Sequence, residues 1–185
     1  MTRGAATLAL ALFCAAPAWA DDIADAIDQA RKAYQSGDLG AAKQSLDLAS
    51  QLIGQKNAES FATLLPKPLP GWEAEEPPSA VGSNVFGVST ASRTYTSAKG
   101  DNVQVEISGD SAMIAQLAPI LTNPALAGTM GKIVRVGSQR AIQNKDGDIH
   151  MLVANKFLVV VNGAAPADAK LAYAQAVDVA ALSKL

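Results

Sequence analysis

His150 is the only histidine among the 185 residues, and so the only imidazole available as a near-neutral base or metal ligand. Asp148 stands two positions before it. Residues two apart on a strand project to the same face, which would let the carboxylate orient the ring. A base also needs a nucleophile within reach, and Ser108, Ser111 and Ser138 sit in no strained G-x-S-x-G elbow. His150 therefore reads as a surface or edge-strand residue. Asp146-Gly147-Asp148 resembles the start of a calcium loop, but that ion takes about six to eight oxygen ligands from a longer loop ending in Glu. A tight turn accounts for all three residues.

No other clustering of His, Asp and Glu has the spacing of a transition-metal site. Gly82, Gly87, Gly100 and Gly109 are too widely spaced to cradle a phosphate, and no G-x-x-x-x-G-K pattern occurs. The sequence thus predicts no catalytic centre, no metal and no cofactor. Lys132, Arg135, Arg140 and Lys145 lie close together in sequence. They could form a shallow anion-attracting patch, or simply keep strand edges soluble.

The elements that position these residues follow a distinctive first segment. Arg3, an apolar run from Ala5 to Ala16 and then Ala18-Trp19-Ala20 have the layout of a secretory signal peptide cleaved before Asp21. The run is shorter than the roughly 20 residues that span a bilayer, so no transmembrane anchor is expected. Cys14 is the only cysteine, and the bulky Phe13 before it disfavours a lipid anchor. Its loss with the leader would leave no thiol chemistry. Export of a cysteine-free chain points to a bacterial periplasm.

At 49% hydrophobic and 17% charged, the composition is that of a packable chain and excludes disorder. A formal charge of -2 excludes a global attraction for nucleic acid. The charge is unevenly spread: residues 21–65 carry seven acids and four bases, and residues 79–185 seven acids and nine bases. An acidic arm on a mildly basic domain is one consequence.

Ile23, Ile27, Ala30 and Tyr34 recur at helical spacing, and Ala42, Leu46, Ala49 and Ile53 repeat it after Ser36-Gly37-Asp38. Two helices folded back on each other are predicted over residues 21–65. Ala33-Tyr34-Gln35-Ser36-Gly37-Asp38, followed by Ala42, Leu46 and Ala49, resembles part of a tetratricopeptide repeat. That family binds peptides in a groove built from several repeats, and only one hairpin of about 30 residues is matched here. Two such helices cannot bury enough apolar area to be stable alone, so their stripe must cover something.

Pro66, Pro68 and Pro70 forbid helix, and with Glu73-Ala74-Glu75-Glu76-Pro77-Pro78 they define a linker over residues 66–78, with Trp72 anchored on the following domain or offered to a partner. Within 79–185 the period changes to two. Strands are predicted from Val85 to Tyr95, Val103 to Ser108, Lys132 to Val136, Gln139 to Asn144 and Ile149 to Val161, the last breaking at Asn155-Lys156. Helices are predicted from Asp110 to Asn123 and from Ala165 to Leu182, the second facing inward through Leu171, Ala174, Val177 and Ala181, with a loop through Gly128, Met130 and Gly131 between. The expected class is α+β, an antiparallel sheet covered by helices and preceded by an N-terminal α-helical hairpin.

Pro70-Gly71-Trp72 and the terminal helix after Phe157-Leu158-Val159-Val160-Val161 resemble the fold family of the Mog1 and PsbP proteins, from about Leu65 onward. The chain as a whole is also similar to uncharacterised secreted bacterial proteins. The fold resemblance implies an accessory or binding subunit without a shared catalytic centre. The resulting expectation is a non-enzymatic periplasmic accessory protein whose partner is an envelope or periplasmic protein, contacted through Ile27, Tyr34 and Trp72. The alternative is a module for a small apolar ligand, held between sheet and helix by Met113, Leu117, Met151 and Phe157.

Overall fold

The structure, a computed structural model, describes residues 19–82, 88–109, 114, 119 and 123–185. The expected leader through Ala18, with Cys14, lies outside the described residues. Two compact units are formed, Met1–Ala49 and Ser50–Leu185. The division falls inside the second helix.

The first unit holds α1 (Trp19–Gln35) and the beginning of α2 (Leu39–Thr63). Gly37 takes a positive φ of 80° in the turn, and Asp38 then accepts the Ala41 amide at 2.9 Å, an N-terminal cap that restarts the helix. The buried residues here are Ala26, Ala30, Ala42 and Ala49, the last three being the small members of the apolar stripes.

The second unit is built on an antiparallel sheet. Its strands are β1 (Trp72–Ala74), β2 (Ser79–Gly82), β3 (Ser89–Ser97), β4 (Asn102–Gly109), β5 (Lys132–Val136), β6 (Gln139–Gln143), β7 (Ile149–Val153) and β8 (Phe157–Asn162). They are ordered β1-β3-β4-β8-β7-β6-β5, and β2 joins the same edge of β3 as β1. Among the described residues three more helices occur, α3 (Pro124–Met130), α4 (Ala167–Ala176) and α5 (Val179–Leu182). The α+β class with a leading helical hairpin is therefore the architecture of the chain.

The register places Ala91, Tyr95, Val105, Ile107, Val159 and Met151 on one face, all buried. Against this face lie Tyr173 and Ala174 of α4, Leu182 of α5 and, from the later part of α2, Phe61. Phe61 meets Phe157 edge-on, with ring centroids 5.5 Å apart. Where α2 crosses β2, a Cβ on Gly82 would collide with the backbone of Gly54 and Gln55, so only glycine permits the approach.

Several local expectations shift. The linker is not free chain: Trp72–Ala74 pairs with Tyr95–Ser97, and Ser79–Gly82 pairs with Ser89–Ser92. The predicted strand from Val85 begins at Ser89 in the structure, with 83–87 outside the described residues. The predicted helix over 110–123 is described only at Ile114 and Pro119, both helical. The expected loop through Gly128 and Met130 is instead helix α3, because Pro124 occupies a first helical position, where a missing N–H costs nothing. The terminal helix breaks at Val177, whose extended backbone lets Asp178 cap α5.

Candidate functional site

The large apolar side chains of the helical hairpin are turned to solvent. Ile27 is 47% exposed, Tyr34 69%, Leu39 66% and Leu46 55%. Ile27 and Tyr34 are seven residues apart on α1, as are Leu39 and Leu46 on α2, so each pair lies on one face of its helix. The charged residues of the hairpin are largely acidic, with Asp22, Asp25, Asp28, Asp38 and Asp47 against Arg31, Lys32 and Lys43. Arg31 pairs with Asp28 at 3.1 Å and Lys43 with Asp47 at 2.6 Å, both exposed and of little energetic weight.

Trp72, the third expected contact residue, sits elsewhere. It is half-buried in β1 and meets Tyr173 edge-on at 5.4 Å. Tyr173 in turn lies 4.4 Å from Tyr95 between ring centroids. The two phenols pin the proline segment. Tyr95 donates to the Pro66 carbonyl at 2.6 Å, and the Leu69 amide donates to the Tyr173 hydroxyl at 3.2 Å. Burial pushes the Tyr95 phenol up to about 12 against a smaller opposing pull from Arg93, and burial also raises Tyr173. Both tyrosines are structural at neutral pH. Trp72 thus sits within this cluster, far in role from Ile27 and Tyr34.

Two of the four residues of the alternative pocket are among the described residues. Met151 is 1% and Phe157 3% exposed, each inside the packed core, while Met113 and Leu117 lie outside the described residues.

Asp146-Gly147-Asp148 is a turn tied to α4. Asn144 Oδ1 accepts the Asp146 and Asp148 amides at 2.9 and 2.8 Å, and Gly147 has a φ of 83° with Ala167 against it. Lys170, 2% exposed, reaches across to Asp148 Oδ1 at 2.7 Å and the Asp146 carbonyl at 2.8 Å. Burial acts to raise the Asp148 carboxyl. Hydrogen bonds from Lys170 and Asn144, with the charges of Lys170 and His150, outweigh it and hold the group below its ordinary range. Helical periodicity selects Leu171 for the core and misses Lys170. The i, i+3 spacing of Lys170 and Tyr173 was the available signal.

His150 points to the opposite face of the sheet from Ile149 and Met151, in register with Val160 and Ile142. It lines a cavity of about 300 Å³ with Gln139, Arg140, Ile142, Leu152, Ala154 and Asn155. Of the basic run, Arg135 and Arg140 stand directly opposite each other on this face. Lys132 falls on the other face, and Lys145 in the turn lines a separate cavity with it. No serine, cysteine or further acid lines the His150 cavity, and among the described residues no group of three or more His, Cys, Asp or Glu could hold a metal ion. No helix among them is long and apolar enough to cross a membrane.

Compared with known proteins, the chain matches no protein-family model, no curated protein and no solved structure.

Proposed function

We propose that the chain is a non-enzymatic accessory protein of the periplasm, acting by contact through the exposed apolar face of its helical hairpin. The observation that carries this reading is an inversion of packing: alanines are buried in the first unit while Ile27, Tyr34, Leu39 and Leu46 face solvent. Four buried alanines offset little of the entropy of ordering two helices, so the larger side chains gain most by being covered in a complex. The partner is a protein surface with an apolar stripe edged by basic residues, complementary to the aspartates of the hairpin. Trp72 is the weakest of the three expected contact residues, since one side of its ring is already occupied by Tyr173.

The test is a photo-crosslinking amino acid at position 34, in cells that make the protein. A discrete heavier adduct is expected, lost when Ile27→Asp is added, with the melting temperature of the purified protein unchanged. Absence of any adduct, together with a lowered melting temperature for Tyr34→Asp, would show that the face packs within the chain.

A further inference from the structure

The cavity beside His150 is independent of the hairpin and has the features of a ligand site. Its floor is apolar, formed by Ile142, 2% exposed, and the half-buried Leu152. Its walls carry Gln139, Arg140, His150 and Asn155. Arg135 faces Arg140 across the β5–β6 pair, which sets two guanidinium-bearing residues side by side at one end.

These polar groups are unspent. Among the described residues no hydrogen bond or ion pair engages the side chain of Arg135, Gln139, Arg140, His150 or Asn155, although elsewhere in this unit Arg93 and Lys170 both find carboxylates. The nearest carboxylate is that of Asp148, which feels the charge of His150 but is held by Lys170 at 2.7 Å. On the same sheet face Glu106 is separated from His150 by the whole of β8 and engaged by the Ser108 hydroxyl at 3.2 Å, and Glu73 lies further off on β1. The lining itself therefore carries basic side chains and no acid.

The rim is strained. Ala154 and Asn155 both have left-handed backbone, with φ of 51° and 56°, in the tight turn closed by the Lys156 amide on the Val153 carbonyl at 3.0 Å. Glycine or asparagine suits such positions, and alanine does not. Ala154 and Asn155 both line the cavity.

We infer that this cavity binds a small organic monoanion, a carboxylate with a short apolar chain. The carboxylate meets Arg140, with Arg135 adding charge and the His150 and Asn155 side chains as further donors. The chain lies on Ile142 and Leu152. Guanidinium groups match carboxylates in charge and geometry, and apolar floors with a few convergent polar groups are the usual make-up of small-ligand sites. A volume of about 300 Å³ admits a chain of a few carbons. A phosphate cradle would need a concave run of backbone N–H groups, and the lining here is side chain and apolar floor.

Because His150 is the sole histidine, its ring resonances are an unambiguous reporter. The purified protein is titrated at fixed pH with hexanoate, hexan-1-ol and hexylammonium while the imidazole C–H shifts are followed by NMR. Hexanoate is expected to move them saturably, the other two not. R140Q should weaken the hexanoate affinity by at least about tenfold, and R135Q by less, with both melting temperatures unchanged because both side chains are exposed and unpaired. Absence of a saturable hexanoate shift would overturn the assignment. So would an equal response to hexan-1-ol, which would mark a merely apolar hollow, or an undiminished affinity in both R140Q and R135Q. None of these outcomes touches the hairpin contact, which is read from adducts at position 34.

Discussion

The two units treat their large side chains in opposite ways. The sheet unit buries Tyr95, Tyr173, Ile107, Ile149, Met151 and Leu182 to under 2% exposure, and ties its one buried lysine to a carboxylate and a carbonyl. The helical hairpin buries alanines and exposes isoleucine, leucine and tyrosine. A region organised like the first is held together by its own buried contacts, even with Val81, Leu126, Met130, Ile133 and Leu185 exposed at its surface. A region organised like the second keeps little for itself and presents what it has. The helix α2 crosses this divide within one run of hydrogen bonds: Ala42 and Ala49 are its buried positions before the division, Ala58 and Phe61 after it.

That contrast can be broken most sharply inside α2 itself. Phe61→Ala removes a ring that is 2% exposed and in edge contact with Phe157, and should cost about 4 kcal/mol, read from urea unfolding. Leu46→Ala, on the exposed side of the same helix, should cost under about 0.5 kcal/mol. Equal costs would erase the distinction between the two regions.

Asp148→Asn comes next, since it leaves the buried Lys170 ammonium with the Asp146 carbonyl alone. A loss of about 3 kcal/mol at pH 7 is expected, or roughly 10 °C in melting temperature. The pH dependence has a fixed sign. With its folded-state pKa depressed, Asp148 contributes fully above its unfolded value of about 3.9, and the contribution vanishes as pH falls through the lower folded value. Melting curves of the wild type and Asp148→Asn should therefore be well separated at pH 7 and draw together as the pH falls below the unfolded value of about 3.9. Curves that stay equally far apart at both pH values would show that the pair does not carry this linkage.

A smaller effect is expected from Tyr95→Phe, which orphans the Pro66 carbonyl and should cost about 1 kcal/mol. The wild-type phenol, raised to about 12, should contribute no ultraviolet tyrosinate signal at pH 10, so Tyr95→Phe should leave the difference spectrum at that pH unchanged. Smallest of all is Tyr34→Asp, whose effect on the stability of the purified protein should lie within about 0.5 kcal/mol.

Much of the sheet was legible because alternation is a local signal. Val103, Val105 and Ile107, and Ile149, Met151 and Val153, announce their inner face residue by residue, and the break at Asn155-Lys156 falls inside the observed turn. What escaped was decided by distant partners. Three residues at Trp72 become a strand only because the edge of β3 is there to pair with them. Lys170 is buried only because Asp148, on another element, receives it. Pro124 suits a helix start as well as a helix end, and sequence spacing does not choose between them.

The candidate sites divide along the same line. Ile27 and Tyr34 were visible as an apolar stripe, but periodicity does not tell a covered stripe from an open one. The cavity at His150 was invisible because its lining comes from β6, β7 and the turn after β7, joined only by register.

The central claim, that the hairpin's apolar face is open in the isolated protein and covered in the cell, is tested most directly by hydroxyl-radical footprinting of Tyr34. Oxidation in dilute purified protein should approach that of a free tyrosine and fall several-fold in intact cells. Protection already present in the dilute protein, or equal oxidation in both settings, would contradict it.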